Sequence, residues 1–476
     1  MGWYKDINAI LEQEPETWLA YLYGQQLENI PHLTRTKPRF RGLVLRLCAY
    51  FLFLVRNFAL RQPAGLKTKV DFVVFAGTAN QMSSLEGTTN ILKRNGKRVL
   101  EIGHGKLLHT DDQRGRYIPF SFNVLDIVKS LVLLGRHGVS LYKDLQKKHP
   151  SSVQSYFDNF CSVYTYLIYF HRVLKQTKPD FVITSNDHNP PNRSLLAVAH
   201  YLGIKTVYLQ HASVSNLFPA LRVDYAFLDG QFALDTYREC EKNQPTTKRR
   251  TPPPKVLLTG QKKHLERSDK QHVAAIGIAF NALDDSAAAI QFVKELANAG
   301  QQVRVRWHPG LSKSHVKQYI AAFAGIPQVQ LSNPKTESVS DFLTEIRWLV
   351  AGNSSIHLEA ALAGVTPIYY ELTPPDNPDY YGYVRHGLAK RAASSDEVVE
   401  LVGAVYGVEG PDAEAVRYYS ATYLTEWDGK EGALVSEFLL GNAVSGVDMV
   451  DLLEQQDAEW LDAIDVQRHK LPSARA

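Results

Sequence analysis

Two strand-like runs that break off abruptly into polar loop residues constrain this chain more than any other feature. Residues 303–307, Val-Arg-Val-Arg-Trp, lead straight into His308, Pro309 and Gly310. The run ending at Ala351 and Gly352 opens into Asn353, Ser354 and Ser355, then into a helical pattern over 356–363 that Gly364 closes. Each reads as a buried strand reaching the edge of a sheet, and the second passes directly into a helix whose first turn offers hydroxyls and free backbone amides. Such an edge suits the phosphates of a nucleotide, because orphan amides and the helix dipole both favour negative charge.

The same alternation recurs along the chain. Strands are expected at 70–76, 98–101, 181–184, 206–210 and 223–228, and again at 274–278, 303–307, 329–331, 348–351 and 366–370. Helical patterns lie between them, at 127–176, 194–202 and 287–299 among others. Strands alternating with helices predict parallel sheets covered on both faces, and 476 residues are too many for one ordinary core. From 241 to 255 the composition shifts to Asn, Gln, Thr, Lys and Arg with a Pro252-Pro253-Pro254 run, which builds a connector rather than a core. The expected organisation is a helical segment at 1–67, a Rossmann-like domain at 68–245, a linker at 246–255, a second Rossmann-like domain at 256–442 and a helical tail at 443–476. The tail carries an acidic helix pattern over 444–467.

A formal charge of +4 is small for this length and disfavours a nucleic-acid protein. Cys48, Cys161 and Cys240 are far apart and form no CxxC pair, which disfavours a disulfide framework or a zinc site and fits a reducing cytoplasm. Residues 1–15 lack the basic and then apolar layout of a secretion signal. There is no GxxxxGK[ST] loop, no GxSxG elbow and no DxD triplet in a strand-end loop, and the acidic pairs Asp111-Asp112 and Asp284-Asp285 stand alone. No metal and no cofactor is expected. The most apolar stretch, 42–60, is interrupted by Arg46 and Arg56, so it is too short to span a bilayer. Arg35, Lys37, Arg39, Arg41, Arg61 and Lys67 surround it. Two readings stand open: a helix lying in an anionic membrane surface, peripheral to the inner face of the plasma membrane, or a helix packed on the catalytic domain with its arginines snorkelling.

In open parallel sheets ligands bind beyond the carboxyl ends of the strands, which selects a set of candidates. From the first half these are Gly77, Thr78 and Asn80; Ser185, Asp187 and His188; Gln210, His211 and Ser213; and Asp229 with Gly230. From the second they are His308 and Pro309; Asn353, Ser354 and Ser355; and Glu371. His211 directly follows a strand, where an imidazole suits proton abstraction from a hydroxyl, with Asp187 and Asp229 as alternative bases. Each also has a structural reading, as a packed histidine or a turn-capping acid. His308 offers a donor beside a proline that stops the strand. Glu359 lies four residues after Ser355, on the same helical face, where its carboxylate could accept ribose hydroxyls.

The order QHA at 210–212, LDG at 228–230, HPG at 308–310 and NSSIHLEAALAG at 353–364 resembles GT-B glycosyltransferases of bacterial surface-polysaccharide assembly. The similar groups are the polysialyltransferase-like, capsular Kdo transferase-like and CDP-glycerol glycerophosphotransferase-like ones. The resemblance covers roughly 71–440. It implies two Rossmann-like domains facing a cleft, no required metal, and a base at His211 or Asp229. It further implies contacts from His308, Ser354 and Ser355 to the phosphate of a cytidine nucleotide donor. The expected activity is transfer of a sugar from a CMP- or UDP-linked donor to a glycan or lipid-linked acceptor, with the strand-end residues Gly77, Thr78, Asn80 and His188 as acceptor-side candidates. Two departures stand out: Ala212 follows the QH pair where a glycine is common, and Leu228 precedes Asp229 where a second acid is common. The competing readings are a nucleotide-hexosamine 2-epimerase, which needs no acceptor, and a non-catalytic scaffold of a polysaccharide assembly complex.

Overall fold

The computed structural model describes residues 2–24, 41–104, 116–243, 253–261, 265, 275–281, 284–373, 378–404, 410–444 and 447–453. Arg35, Lys37, Arg39, the Asp111-Asp112 pair, most of the connector and the tail from 454 lie outside the described residues.

The first sheet contains β1 (Phe72–Ala76), β2 (Val99–Gly103), β3 (Ile118–Pro119), β4 (Phe181–Thr184), β5 (Lys205–Leu209), β6 (Tyr225–Leu228) and β7 (Lys255–Leu258). Their order is β3-β2-β1-β4-β5-β6-β7, all parallel. Central β1 is apolar throughout because both its faces are covered. Val73 and Phe75 join the core on one side, and Phe72, Val74 and Ala76 join the core on the other, as strand alternation requires.

The second sheet contains β8 (Ala275–Phe280), β9 (Gln302–Trp307), β10 (Val329–Ser332), β11 (Trp348–Ala351), β12 (Thr366–Tyr369) and β13 (Lys390–Arg391). Here the order is β10-β9-β8-β11-β12-β13, again all parallel. These are two Rossmann-like domains. Each has one place where the strand order reverses, between β1 and β4 in the first and between β8 and β11 in the second. The crevice at such a reversal is the ordinary ligand position of a doubly wound sheet.

Three features differ from the reading of the sequence. The helical stretch expected over 127–176 is two helices, Val124–Lys148 and Pro150–Thr177. Pro150 lacks the N–H that would continue the first helix but fits the opening turn of the second. Strand β7 extends the first sheet, so that sheet reaches past the boundary anticipated at 246–255, and the chain crosses to the second sheet after Leu258. Finally Val450–Asp451, inside the stretch expected to be helical, forms a short strand, β14, antiparallel to β7.

The chain also returns to the first domain before its end. Helix Glu431–Leu440 lies on helix Ala79–Arg94, crossing where Gly432 meets Gly87. Gly230 sits beneath the backbone of Tyr418 and Tyr419, where a Cβ would come within 2.6 Å of both. Among the described residues, four α-helices precede the first sheet: Gly2–Gln13, Glu16–Leu19, Tyr21–Gly24 and Leu43–Arg56.

Candidate active site

At the reversal point of the second domain, the ends of β9, β8, β11 and β12 stand side by side. Asn281, just after β8, donates from Nδ2 to the carbonyl of Asn353 at 3.0 Å. Asn353 in turn accepts, at Oδ1, the Tyr369 hydroxyl at 3.2 Å and the Tyr380 amide at 2.9 Å. Asn353 therefore ties three elements together. Ser355 begins helix Ile356–Leu362 without a capping bond from its side chain, and the Ser354 hydroxyl accepts weakly from the Ile356 amide at 3.5 Å. His357 is fully buried and points back, its Nε2 2.9 Å from the Gly352 carbonyl and 3.2 Å from that of Ala351. Burial drives its pKa down to about 4, so it is the neutral imidazole that donates to these carbonyls. It fixes the turn that presents Asn353, Ser354 and Ser355.

His308 accepts the Gly310 amide at Nδ1, 3.0 Å, which leaves Nε2 carrying the proton as an outward donor. Burial of part of the ring lowers its pKa. Pro309 is exposed beside it. Arg304 and Arg306 serve the sheet instead: Arg306 donates to Ser332 and to the Glu337 carbonyl, and Arg304 pairs with Glu337. Glu359 faces a different space, a cavity of about 520 Å³ between the domains that Glu86 and Glu431 also line. Glu371 pairs with Arg391 at 3.1 Å.

Asp284, set aside in the sequence as part of an isolated acidic pair, belongs to this edge. The Asn281 amide donates to its Oδ2 at 2.6 Å, and a Cβ on Gly352 would stand 4.0 Å from its Oδ1. Burial raises its carboxyl to about 6.

In the first domain, Gln210 acts as a clamp: its Oε1 accepts the Asp229 amide at 2.9 Å and its Nε2 donates to the Ala212 carbonyl at 3.0 Å. That holds the loop bearing His211 against the end of β6. His211 and His188 line one cavity of about 380 Å³, together with Ser213, Ser215, Phe218, Tyr208, Tyr21, Tyr380 and Tyr381. Among the described residues no Asp, Glu, Lys or Arg side chain lines it. His188 is positioned from behind. Its Nδ1 lies 3.3 Å from Asp187 Oδ1, and Asn186 Nδ2 lies 3.1 Å from its Nε2, so the proton sits on Nδ1 and faces the carboxylate. Asp187 itself is buried, and its Oδ2 makes no hydrogen bond.

Asp229 is buried under the returning chain, whose Ala421 amide donates to its carbonyl at 2.8 Å, and it is not among the residues lining this cavity. Gly77, Thr78 and Asn80 are not among them either. Thr78 caps helix Ala79–Arg94 by accepting the Gln81 amide, and Gly77 donates to the Gln81 side chain at 2.7 Å.

The two domains meet across the cavity through tyrosines. Tyr380, whose amide holds Asn353, donates its hydroxyl to Ser215 at 2.6 Å, and the Tyr383 hydroxyl lies 2.9 Å from that of Ser213. Asp379 makes this turn: at φ 50° it adopts the left-handed conformation tolerated by aspartate, and its carboxylate accepts the Val384 and Arg385 amides. The N-terminal segment closes another wall. Arg193, buried, stacks on Trp18 at 4.3 Å and Tyr21 at 5.5 Å and donates to the Trp18 and Asp187 carbonyls. The sequence reading missed Tyr21, Ser215, Tyr380, Tyr381 and Asp284. The Tyr-Tyr-Gly-Tyr run at 380–383, aromatic in an otherwise turn-like stretch, was the available signal.

Among the described residues no group of three His, Cys, Asp or Glu side chains is arranged to hold a metal ion. No protein-family model and no curated protein matches the sequence. Among solved structures the chain is similar to the UDP-GlcNAc 2-epimerase of Neisseria meningitidis, at 15% identity over 78% of this chain and 99% of that one, TM-score 0.45. It is similar to MurG of Acinetobacter baumannii at 12% identity, over 78% and 99% of the two chains, TM-score 0.45. A glycosyltransferase of Rickettsia africae gives 10% identity, 79% and 100% coverage and TM-score 0.46. At such scores the likeness assigns no activity. The two sheets themselves, singly reversed and parallel apart from the short β14 edge, give the chain two Rossmann-like domains, the architecture expected of a GT-B-like fold.

Proposed function

We propose that the protein is a glycosyltransferase that moves a sugar from a nucleotide-activated donor to a glycan or lipid-linked acceptor. One observation supports this reading: Tyr380 bonds Asn353 through its amide and Ser215 through its hydroxyl, and so links the strand-end turn of the second domain to the histidine-lined cavity of the first. A two-substrate transfer needs such a link, because donor and acceptor must meet in fixed orientation.

In this reading the donor nucleotide occupies the β8–β11 reversal. His308 Nε2–H and the Ser354 and Ser355 hydroxyls contact its phosphate, stabilising the charge that grows on the leaving group. The acceptor enters the cavity beside His211. Its hydroxyl oxygen forms the new bond to the anomeric carbon, the bond from that carbon to the phosphate oxygen breaks, and His211 takes the hydroxyl proton. Asp187 and His188 orient the acceptor, with the carboxylate held behind the imidazole. Glu359 lines the neighbouring interdomain space and takes no part in the transfer step.

Thermal-shift titration with CMP, CDP and UDP derivatives tests the donor site. A stabilisation by one nucleotide series, lost in His308→Ala and Ser355→Ala, is expected; equal binding by the parent and both variants would remove the site from the crevice. Consumption of the nucleotide sugar is expected only when an acceptor is added. Turnover of the donor alone into an isomeric sugar would make the protein an epimerase.

A further inference from the structure

Helix Leu43–Arg56 packs one face on helix Pro150–Thr177, burying Tyr50 and Leu54, with the Tyr50 hydroxyl 2.8 Å from Thr165. Its opposite face carries Val44, Leu45, Cys48, Phe51, Leu52 and Val55, all exposed, at the spacing of one helical stripe. The sequence left two readings open for this segment, packed or lipid-facing, and the two faces of the helix satisfy one each.

A second helix does the same. Val124–Lys148 buries Ser130, Leu133, Leu141 and Leu145 and exposes Val124, Leu125, Val128, Leu131, Val132 and Val139 in the same periodicity. The two helices share Pro150–Thr177 as their support and are joined at their ends. The Ala59 amide donates to the Phe122 carbonyl and the Phe122 amide to that of Asn57, while Phe53 and Phe122 pack edge to face at 5.4 Å. Both exposed stripes therefore turn away from the same helix. Several of their residues are mostly exposed: Val44 is 72%, Val55 71%, Leu125 63% and Val139 65% accessible.

The charge around this face has one sign. From 41 to 70 the sequence contains Arg41, Arg46, Arg56, Arg61, Lys67 and Lys69 and no acid, and all but Arg46 are exposed. On the second helix Asp126 is buried against Arg172 and Asp144 is paired with Lys148. Within the stripes the hydrogen-bonding side chains are the Cys48 thiol and the exposed cation Arg136, which lies between Val132 and Val139 on the second helix. A protein interface would present polar as well as aromatic anchors at such a centre. Largely aliphatic stripes, with Phe51 among them and rimmed by cations, match the acyl boundary and head groups of an anionic bilayer.

We propose that these two helices form one platform by which the protein docks, without spanning, on an anionic lipid surface. No helix among the described residues is long and apolar enough to cross a membrane. The proposal does not rest on the transferase reading.

Cys48 supplies the test without altering the sequence, since it lies in the stripe while Cys161 and Cys240 are buried. The full chain, labelled there with an environment-sensitive fluorophore, should brighten and shift to the blue on vesicles of phosphatidylcholine with phosphatidylglycerol. It should respond much less to phosphatidylcholine alone. In co-sedimentation, Leu52→Ser with Val55→Ser and, separately, Val128→Ser with Val132→Ser should each weaken binding about tenfold. Arg56→Gln with Arg61→Gln should weaken it about as much, on anionic vesicles only. An unresponsive label, or sedimentation unchanged by either serine pair, would overturn the proposal. So would a lipid-free dimer that either serine pair dissolves, which would make a second copy of the chain the partner of this face.

Discussion

The crossing of Gly87 and Gly432 fixes how the returning chain docks on the first domain, and it makes an asymmetric prediction. A Cβ added at Gly432 would lie 2.8 Å from the Gly87 carbonyl carbon, 3.0 Å from its Cα and 3.0 Å from the Thr88 nitrogen. All three are backbone atoms, so no side-chain rotation relieves the contact and helix Glu431–Leu440 must move outward. Overpacking of this kind costs about 1–3 kcal/mol. Alanine regains part of the roughly 1 kcal/mol that glycine forfeits in a helix, and less than the whole because Gly432 sits in the first turn. Gly432→Ala should thus lose about 1–2 kcal/mol net. The reverse substitution is different: a Cβ at Gly87 meets Gly432 Cα at 3.6 Å, ordinary contact, in the interior of Ala79–Arg94. Gly87→Ala should be neutral or gain up to about 1 kcal/mol. Urea unfolding followed by far-UV circular dichroism separates the two, with a Tm shift of roughly 2–4 °C per kcal/mol as a second readout. Equal losses in both variants, or none at Gly432, would show that the helices are not held at this glycine contact.

Three further outcomes follow from the site. Tyr380→Phe removes the hydroxyl that reaches Ser215 and should cost about 0.5–1.5 kcal/mol; a double-mutant cycle with Ser215→Ala that returns no coupling would mean the bridge does not join the domains. The Asp284 carboxyl, raised by burial to about 6, binds its proton more tightly folded than unfolded, so stability should fall as pH rises from about 4 to about 6 and stay level above. Asp284→Asn should flatten that slope and stabilise the protein at neutral pH by up to about 2 kcal/mol; an unchanged pH profile would show another group titrates there. His357→Ala leaves the Gly352 and Ala351 carbonyls without their buried donor and should cost about 2–4 kcal/mol, with weaker nucleotide binding, whereas His357→Gln should recover part of both.

What could be read from the sequence was whatever depends on period and punctuation. β1, β4 and β11 are short apolar runs stopped by Gly, Ser and Gly-Asn, and each falls within a residue or two of its expected place because a strand buried on both faces has no other pattern. Polar clusters at strand ends were found for the same reason. β7 was not, since Lys255–Leu258 is four residues long and follows a polar, proline-rich stretch; only pairing with β6 makes it a strand. The cavity was half legible. His188 and His211 follow strands, but Tyr21 comes from a four-residue helix near the start of the chain and Tyr380 from a turn far along it, and no local signal links positions whose proximity is created by domain packing. His357 shows the same limit inside a motif that was noticed. In the run 353–364 it is one residue among twelve, and only its inward orientation shows that the strand-end turn depends on it. Periodicity specifies which edge of a sheet holds the chemistry, and long-range contacts decide which side chains at that edge face one another.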